Sequence, residues 1–249
     1  MLKKKVSVIM AVFNEQHTLN KAISGVLALD YDRYEIDLII VESNSTDGSR
    51  EIISSYEENK RVKIIYQPHP LGKGNAIREG LKHAMGEIIL IQDADLEYSF
   101  TDYVDLLDPI YLGTTDFVLG SRHGGTQWKV RVFKNQPLLS FITNSVHWAL
   151  TYMINILFNV NLTDPFTMFK VFKRDIIAEI NFVTNRFDFD YELLLKLIRI
   201  GYIPIEVPVN YSARSFSEGK KVRFFPDPFI WVWCIVKFRL ISKSNFLKK

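Results

Sequence analysis

Disulfide chemistry is closed to this chain: its 249 residues include one cysteine, Cys234. The five histidines do not combine with it in any zinc-ligand spacing, so a disulfide scaffold and structural zinc are both excluded, and a reducing compartment is expected. An excess of one charge is also lacking. The 31 Lys and Arg nearly balance 28 Asp and Glu, for a formal +3, so bulk charge does not call for nucleic acid as a partner. No G-x-x-x-x-G-K-[ST] loop is present and no G-x-G-x-x-G follows the first apolar segment, which removes the P-loop and dinucleotide-binding signatures. Long unbroken apolar runs are missing too. Pro137 to Val160 is interrupted by Asn144, His147 and Asn155, and Phe229 to Ile241 would reach only about 20 Å as a helix, short of the ~30 Å hydrocarbon core. Met1 to Lys5 followed by Val6 to Phe13 imitates a leader. That apolar stretch ends in Asn-Glu-Gln-His without a small-residue cleavage site, and it reads as a first strand.

What is present is an ordinary globular composition, 47% hydrophobic and 24% charged, in a chain long enough to bury a substantial core. The first half alternates strand and helix. Strands are predicted at Val6 to Val12, Ile36 to Val41, Val62 to Gln67, around Ile88, and at Phe117 to Gly120. Helices are predicted near His17 to Leu27, Ser49 to Asn59, Gly74 to Ala84 and Asp102 to Leu107. Such alternation gives an α/β fold with a mostly parallel central sheet flanked by helices. Polar residues gather after each of the first four strands: Asn14 and Glu15, Glu42 to Asp47, His69 to Lys73, and Asp93 to Glu97. In a parallel sheet these loops share the carboxyl edge, where open α/β sheets bind ligands.

The central stretch is Glu87 to Glu97, a doubly buried strand that runs into spaced carboxylates. Asp93 and Asp95 flank the small Ala94. Two carboxylates so close repel unless a cation lies between them, and hard oxygen ligands suit Mg²⁺ or Mn²⁺ with substrate phosphates. A nucleoside diphosphate would give the other loops work. Glu15 and Glu42 can accept hydrogen bonds from a ribose hydroxyl or a base N–H. Gly72-Lys73-Gly74 allows close backbone approach and carries a cation for a phosphate or carboxylate. Asn44 to Gly48, with Asp47, has turn and helix-cap composition.

Four segments in order, Val-Ser-Val-Ile-Met-Ala-Val-Phe-Asn-Glu, Glu-Ser-Asn-Ser-Thr-Asp-Gly-Ser, Leu-Gly-Lys-Gly-Asn-Ala-Ile-Arg-Glu-Gly and Gln-Asp-Ala-Asp-Leu-Glu, resemble family 2 glycosyltransferases. The chain is most similar to the dolichyl-phosphate mannosyltransferase-like and polyprenyl-phosphate glycosyltransferase branch, over about Val6 to Lys221. The resemblance implies a nucleotide-diphospho-sugar (GT-A, Rossmann-like) fold in a single domain. Residues 1–125 would be the nucleotide-sugar half, 126–225 the acceptor side, and 226–249 a terminal apolar and basic helix. It also implies inverting transfer from a UDP- or GDP-sugar and a divalent metal at Asp93, Asp95 and Glu97. By position, Ala11, Phe13, Glu15, Glu42, Asp47, Lys73, Asp93 and Ala94 would contact the donor.

The second half supplies further candidates. Gly120 to Gly125 has the composition of a cover over the donor or of a surface loop, and contains Arg122. Asn161 to Lys173 resembles the family's acceptor-side motif and would bring Asp164, Thr167 and Lys170 near the site. Phe187 to Glu192 alternates aromatic and acidic residues, which if extended puts Asp188, Asp190 and Glu192 on one side. Ile203 to Val209, punctuated by two prolines, reads as an edge strand. Arg214 and the pair Lys220-Lys221 would clamp the leaving diphosphate. A polyprenyl or dolichyl phosphate is the leading acceptor, since its phosphate needs no strong base. A saccharide hydroxyl would need one, with Asp190 or Glu192 as candidates. A non-catalytic sugar-nucleotide-binding protein is the other class left open. The terminal segment, with Trp231, Trp233 and the basic residues after it, would lie peripherally on an anionic cytoplasmic membrane face or dock on the chain's own core.

Overall fold

In the computed structural model, which describes residues 3–122, 137–213 and 227–248, the branched residues of the first half form the expected central strands. β1 (Lys4–Val12), β2 (Tyr34–Glu42), β3 (Val62–Tyr66), β4 (Ile88–Asp93) and β5 (Phe117–Ser121) join β6 (Lys170–Lys173) and β7 (Ile205–Pro208) in one seven-stranded sheet of order β3-β2-β1-β4-β6-β5-β7. β1 is central and pairs in parallel with β2 and β4, so Val8 lies between Leu38 and Leu90. β3 extends the parallel set. β6 is antiparallel to both β4 and β5, and β7 pairs with β5 at the edge, where its one proline, Pro208, is tolerated.

Strands buried on both faces carry apolar side chains without alternation, and successive residues feed opposite layers. Val8, Met10, Leu38, Ile40 and Leu90 pack under α1 (Gln16–Leu27) and α4 (Tyr103–Tyr111). Ile9, Ile39, Val41, Ile89 and Ile91 pack on the other face with α3 (Lys73–His83) and α6 (Phe189–Ile200). A third cluster joins Leu150 and Ile154 of α5 (Pro137–Phe158), Tyr191 and Leu195 of α6, and Cys234, Ile235 and Phe238 of α7 (Asp227–Leu240). The remaining helix, α2 (Ser49–Ser54), is shorter than its sequence pattern predicts.

The acidic alternation before α6 is not extended, contrary to one option its sequence allows. The helix starts at Phe189, so Asp190 and Glu192, two residues apart, are about 200° apart around the axis and face different surroundings. The strand β6 has no counterpart in the sequence pattern, because four residues between loops carry too little periodicity to mark it. α7 does dock on the core through Cys234, Ile235 and Phe238, yet Phe229, Val232, Trp233 and Leu240 are left exposed. Among the described residues no helix is long and apolar enough to cross a membrane.

Candidate active site

The carboxyl ends of β1 and β4 and the N-terminal turns of α3 and α6 converge on a cavity of about 670 Å³. Ten of the residues singled out by sequence line it: Ala11, Phe13, Glu15, Lys73, Asp93, Ala94, Asp95, Glu97, Arg122 and Asp190. The parallel arrangement explains the convergence, since loops remote in sequence leave the sheet at the same edge.

Asp93 ends β4, and its Oδ1 lies 2.5 Å from Lys73 Nζ. Burial disfavours charge on Lys73, but Asp93, then Asp190 and Asp95, outweigh it and hold the ammonium above its usual range. The chain then turns through Leu96 at φ 60°, a left-handed conformation costly for a bulky side chain. Asp95 Oδ1 accepts the Glu97 N–H at 3.1 Å. The Glu97 carboxylate accepts from the Tyr211 hydroxyl at 3.0 Å, so Glu97 reaches the cavity as part of a side-chain link to the segment after β7.

Glu42 and Asp47 stand behind the lining. Glu42 is fully buried at the end of β2. Its Oε1 accepts the Ser45 N–H at 2.5 Å, and its Oε2 is 3.7 Å from Arg50 Nε, with no hydrogen-bond partner among the described residues. Asp47 accepts from the Ser49 and Gln16 backbone N–H groups, both at 3.0 Å, and so ties the loop after β1 to the loop after β2. Burial works against its ionisation, but these hydrogen bonds and that from the Ser49 side chain hold the carboxyl below its usual range.

On the far wall Arg122 makes a two-pronged pair with Asp164, Nε to Oδ2 at 2.8 Å and Nη2 to Oδ1 at 2.6 Å, and its backbone N–H adds a third bond at 2.9 Å. Burial alone would lift the Asp164 carboxyl. The guanidinium beside it outweighs that and holds it well below the usual carboxylate range. Thr167 and Lys170 are fully buried beneath the cavity. The Lys170 ammonium donates to the Thr167 carbonyl and lies 3.7 Å from Asp190 Oδ1, an oxygen without a hydrogen-bond partner among the described residues. Burial drives Lys170 below its ordinary range, and Asp190 offsets this only in part.

Glu192 is not at the cavity. It is fully buried on the other side of α6, where it accepts from the Val183 and Thr184 N–H groups, the Thr184 hydroxyl and the Lys196 ammonium. With its lone pairs so occupied it has a structural position, and Asp190 is the base candidate that faces the cavity. Arg214 and Lys220 lie outside the described residues, as do residues 123–125 of the segment read as a cover or a surface loop.

Several lining residues carry no local signal of a site: Arg186 and Phe187 before α6, Leu150 of α5, Phe166, Tyr191 and Trp231. The Tyr191 and Trp231 rings stack at 5.9 Å between centroids and 20° between planes. His147 of α5 also lines the cavity, and a signal for it exists: Asn144, His147 and Thr151 recur at helical spacing inside an apolar run, and all three are buried.

The glycosyl transferase family 2 profile matches residues 7–180. The low-salt glycan biosynthesis hexosyltransferase Agl6 of Haloferax volcanii is 26% identical over 97% of this chain, which spans 54% of that protein. The dolichyl-phosphate beta-glucosyltransferase ALG5A of Trichomonas vaginalis is 28% identical over 86% of this chain and 68% of its own length. Among solved structures, glucosyl-3-phosphoglycerate synthase from Mycobacterium tuberculosis with Mn²⁺, UDP-glucose and phosphoglyceric acid superposes with a TM-score of 0.67 at 16% identity. That match covers 97% of this chain and 81% of the synthase. The architecture is thus the one that GT-A glycosyltransferases share.

Proposed function

Because the chain belongs to glycosyl transferase family 2, we propose that it transfers a sugar from a UDP- or GDP-sugar to a polyprenyl or dolichyl phosphate, with inversion at the sugar carbon and with a divalent metal. The observation that carries this reading is the cavity's two-sided lining: Asp93, Asp95 and Lys73 on the sheet edge, and Leu150, Phe166, Tyr191 and Trp231 on the helical side. A charged diphosphate suits the first wall and an apolar lipid the second. The dolichyl-phosphate relative and the neighbour bound to Mn²⁺ and UDP-glucose support the same assignment.

The donor atoms suit a metal shared with substrate. Asp93 and Asp95 offer hard carboxylate oxygens on one wall. Among the described residues they do not gather with Glu97 as a three-carboxylate group, so the pair, and not the triad named from the sequence, is the metal site proposed. That agrees with Mg²⁺ or Mn²⁺ completed by phosphate oxygens. When bound, the ion would offset charge on the departing diphosphate. Glu15 is assigned to the nucleoside, while Glu42, fully buried behind the lining, holds the loop after β2 through the Ser45 N–H and does not meet the donor as its position in the sequence suggested. Arg214 and Lys220 are assigned to the diphosphate as it leaves. In the transfer, the bond from the sugar carbon to the diphosphate oxygen breaks while an acceptor oxygen forms its bond from the opposite face. A phosphate oxygen is already ionised near neutral pH and needs no base. For a saccharide hydroxyl, Asp190 would take the proton.

The acceptor's apolar tail calls for attachment at a membrane surface, proposed here as peripheral and cytoplasmic. Phe141 of α5 and Phe229 and Trp233 of α7 are 59%, 65% and 65% exposed, apolar side chains available to a lipid interface. The test of the metal and donor together is turnover of UDP- and GDP-sugars with polyprenyl phosphate. Chelation, Asp93→Asn and Asp95→Asn should each remove most turnover while the chain stays folded. Undiminished transfer in EDTA would overturn the metal assignment.

A further inference from the structure

Lys73 is held at Asp93 by more than its own side chain. Its ammonium is 2.5 Å from the Asp93 carboxylate, with the two side chains only 16% and 15% exposed, so water screens the contact poorly. The backbone beneath it is fixed. Gly72 adopts φ 98° and a Cβ there would run into the Asn185 carbonyl, while a Cβ on Gly74 would lie 2.5 Å from Phe189 Cβ. The Asn75 N–H donates to that same Asn185 carbonyl at 3.0 Å. The N-terminus of α3 is thereby locked against the segment entering α6, and the cation is delivered to one carboxylate of the Asp93/Asp95 pair.

Charge balance governs how a divalent ion can enter. The ammonium sits on one carboxylate of the Asp93/Asp95 pair, so an approaching divalent ion meets a like charge already touching one of its proposed ligands. A donor diphosphate changes this balance, because its oxygens offer the ammonium another anion and supply the metal's missing ligands. Asp190 and Asp95 also attract Lys73, and Lys170, 3.7 Å from Asp190 Oδ1, opposes it. We infer that Lys73 is an internal counter-ion that covers Asp93 until the donor arrives, so that the divalent ion binds tightly only together with the diphosphate. The inference rests on the metal reading proposed above. The two bindings are then coupled, and the coupling must be reciprocal.

The test is Mn²⁺ binding to the full chain, followed by electron paramagnetic resonance of the free ion, with and without UDP or GDP. The parent should bind Mn²⁺ weakly alone and much more tightly with the matching nucleotide. Lys73→Met should bind Mn²⁺ alone at least about tenfold more tightly than the parent, the scale on which removal of an adjacent like charge acts. The nucleotide should then add less, and Lys73→Arg should behave as the parent. Lys73→Gln takes the place of the Met variant should that one fail to fold. If parent and variant bind Mn²⁺ alone equally well, and nucleotide still tightens both equally, the counter-ion role is overturned and the metal site stands. If neither binds Mn²⁺ even with bound nucleotide, the metal reading itself fails, and the inference with it.

Discussion

Glu192→Gln separates a structural carboxylate from a catalytic one. In the parent, both Glu192 oxygens accept from the Val183 N–H at 3.0 Å. Oε2 also takes the Thr184 N–H at 2.8 Å and its hydroxyl at 2.5 Å, and Oε1 takes the Lys196 ammonium at 2.5 Å. The two charged side chains are 0% and 3% exposed. An amide keeps one acceptor but turns its NH₂ toward groups that are themselves donors. It also leaves the Lys196 ammonium, which burial already disfavours, among the rings of Phe182, Phe238 and Phe246 without the carboxylate that offsets that burial. Breaking a buried pair from one side costs about 3–5 kcal/mol. For a chain of this size that is a fall in melting temperature of roughly 6–20 °C, and a large part of a total stability of about 5–15 kcal/mol. Glu192→Leu with Lys196→Met removes both charges and should recover most of the loss. The assays are urea denaturation followed by circular dichroism and turnover per folded molecule. Turnover in Glu192→Gln should change less than about threefold, whereas loss of a general base costs about 10²–10⁴-fold. Unchanged stability with a hundredfold loss of turnover would refute the structural assignment.

Gly74→Ala puts a methyl group 2.5 Å from Phe189 Cβ and 2.8 Å from the Arg186 carbonyl oxygen; it should destabilise the chain by about 1–3 kcal/mol and, by shifting Lys73, weaken donor binding in a calorimetric titration. Asp164→Asn should lower stability at pH 7, because it orphans the buried Arg122 guanidinium. Since the folded carboxyl is held below its ordinary value, its stabilisation is complete above about pH 5 and is lost as pH falls through ~4 and below. Denaturation midpoints measured from pH 6 to pH 2 should therefore fall less steeply in Asp164→Asn than in the parent.

The parallel core is legible in the sequence because its strands are buried on both faces and separated by segments of helical pattern. Once β1 to β4 run in parallel, the placement of Glu15, Lys73, Asp93 and Asp95 at one edge follows from topology alone. Pairing across long separations is not legible in this way. Arg122 and Asp164 lie 42 positions apart, and Asp164-Pro165 alone reads as a turn. Lys170 heads a four-residue antiparallel strand whose insertion between β4 and β5 no local pattern announces. Glu192 falls away from the cavity because an alternating aromatic and acidic run fits a strand on one side or a helix with divergent faces, and only packing against α3 and α7 decides between them. The aromatic side of the cavity is hidden by the same ambiguity: Phe166, Tyr191 and Trp231 read locally as core, and they become a wall only where three separate segments meet.

The central claim is transfer of a sugar to a lipid phosphate with inversion, and the most direct measurement follows the label itself. The full chain is incubated with radiolabelled UDP- or GDP-sugar, Mn²⁺ and polyprenyl phosphate in anionic liposomes, and the anomeric configuration of the organic-phase product is determined by NMR. The expected result is one labelled lipid-phosphate sugar whose anomeric centre is opposite to that of the donor. Retention of configuration would contradict the mechanism. Label transferred only to a saccharide hydroxyl, with none entering the lipid, would contradict the acceptor.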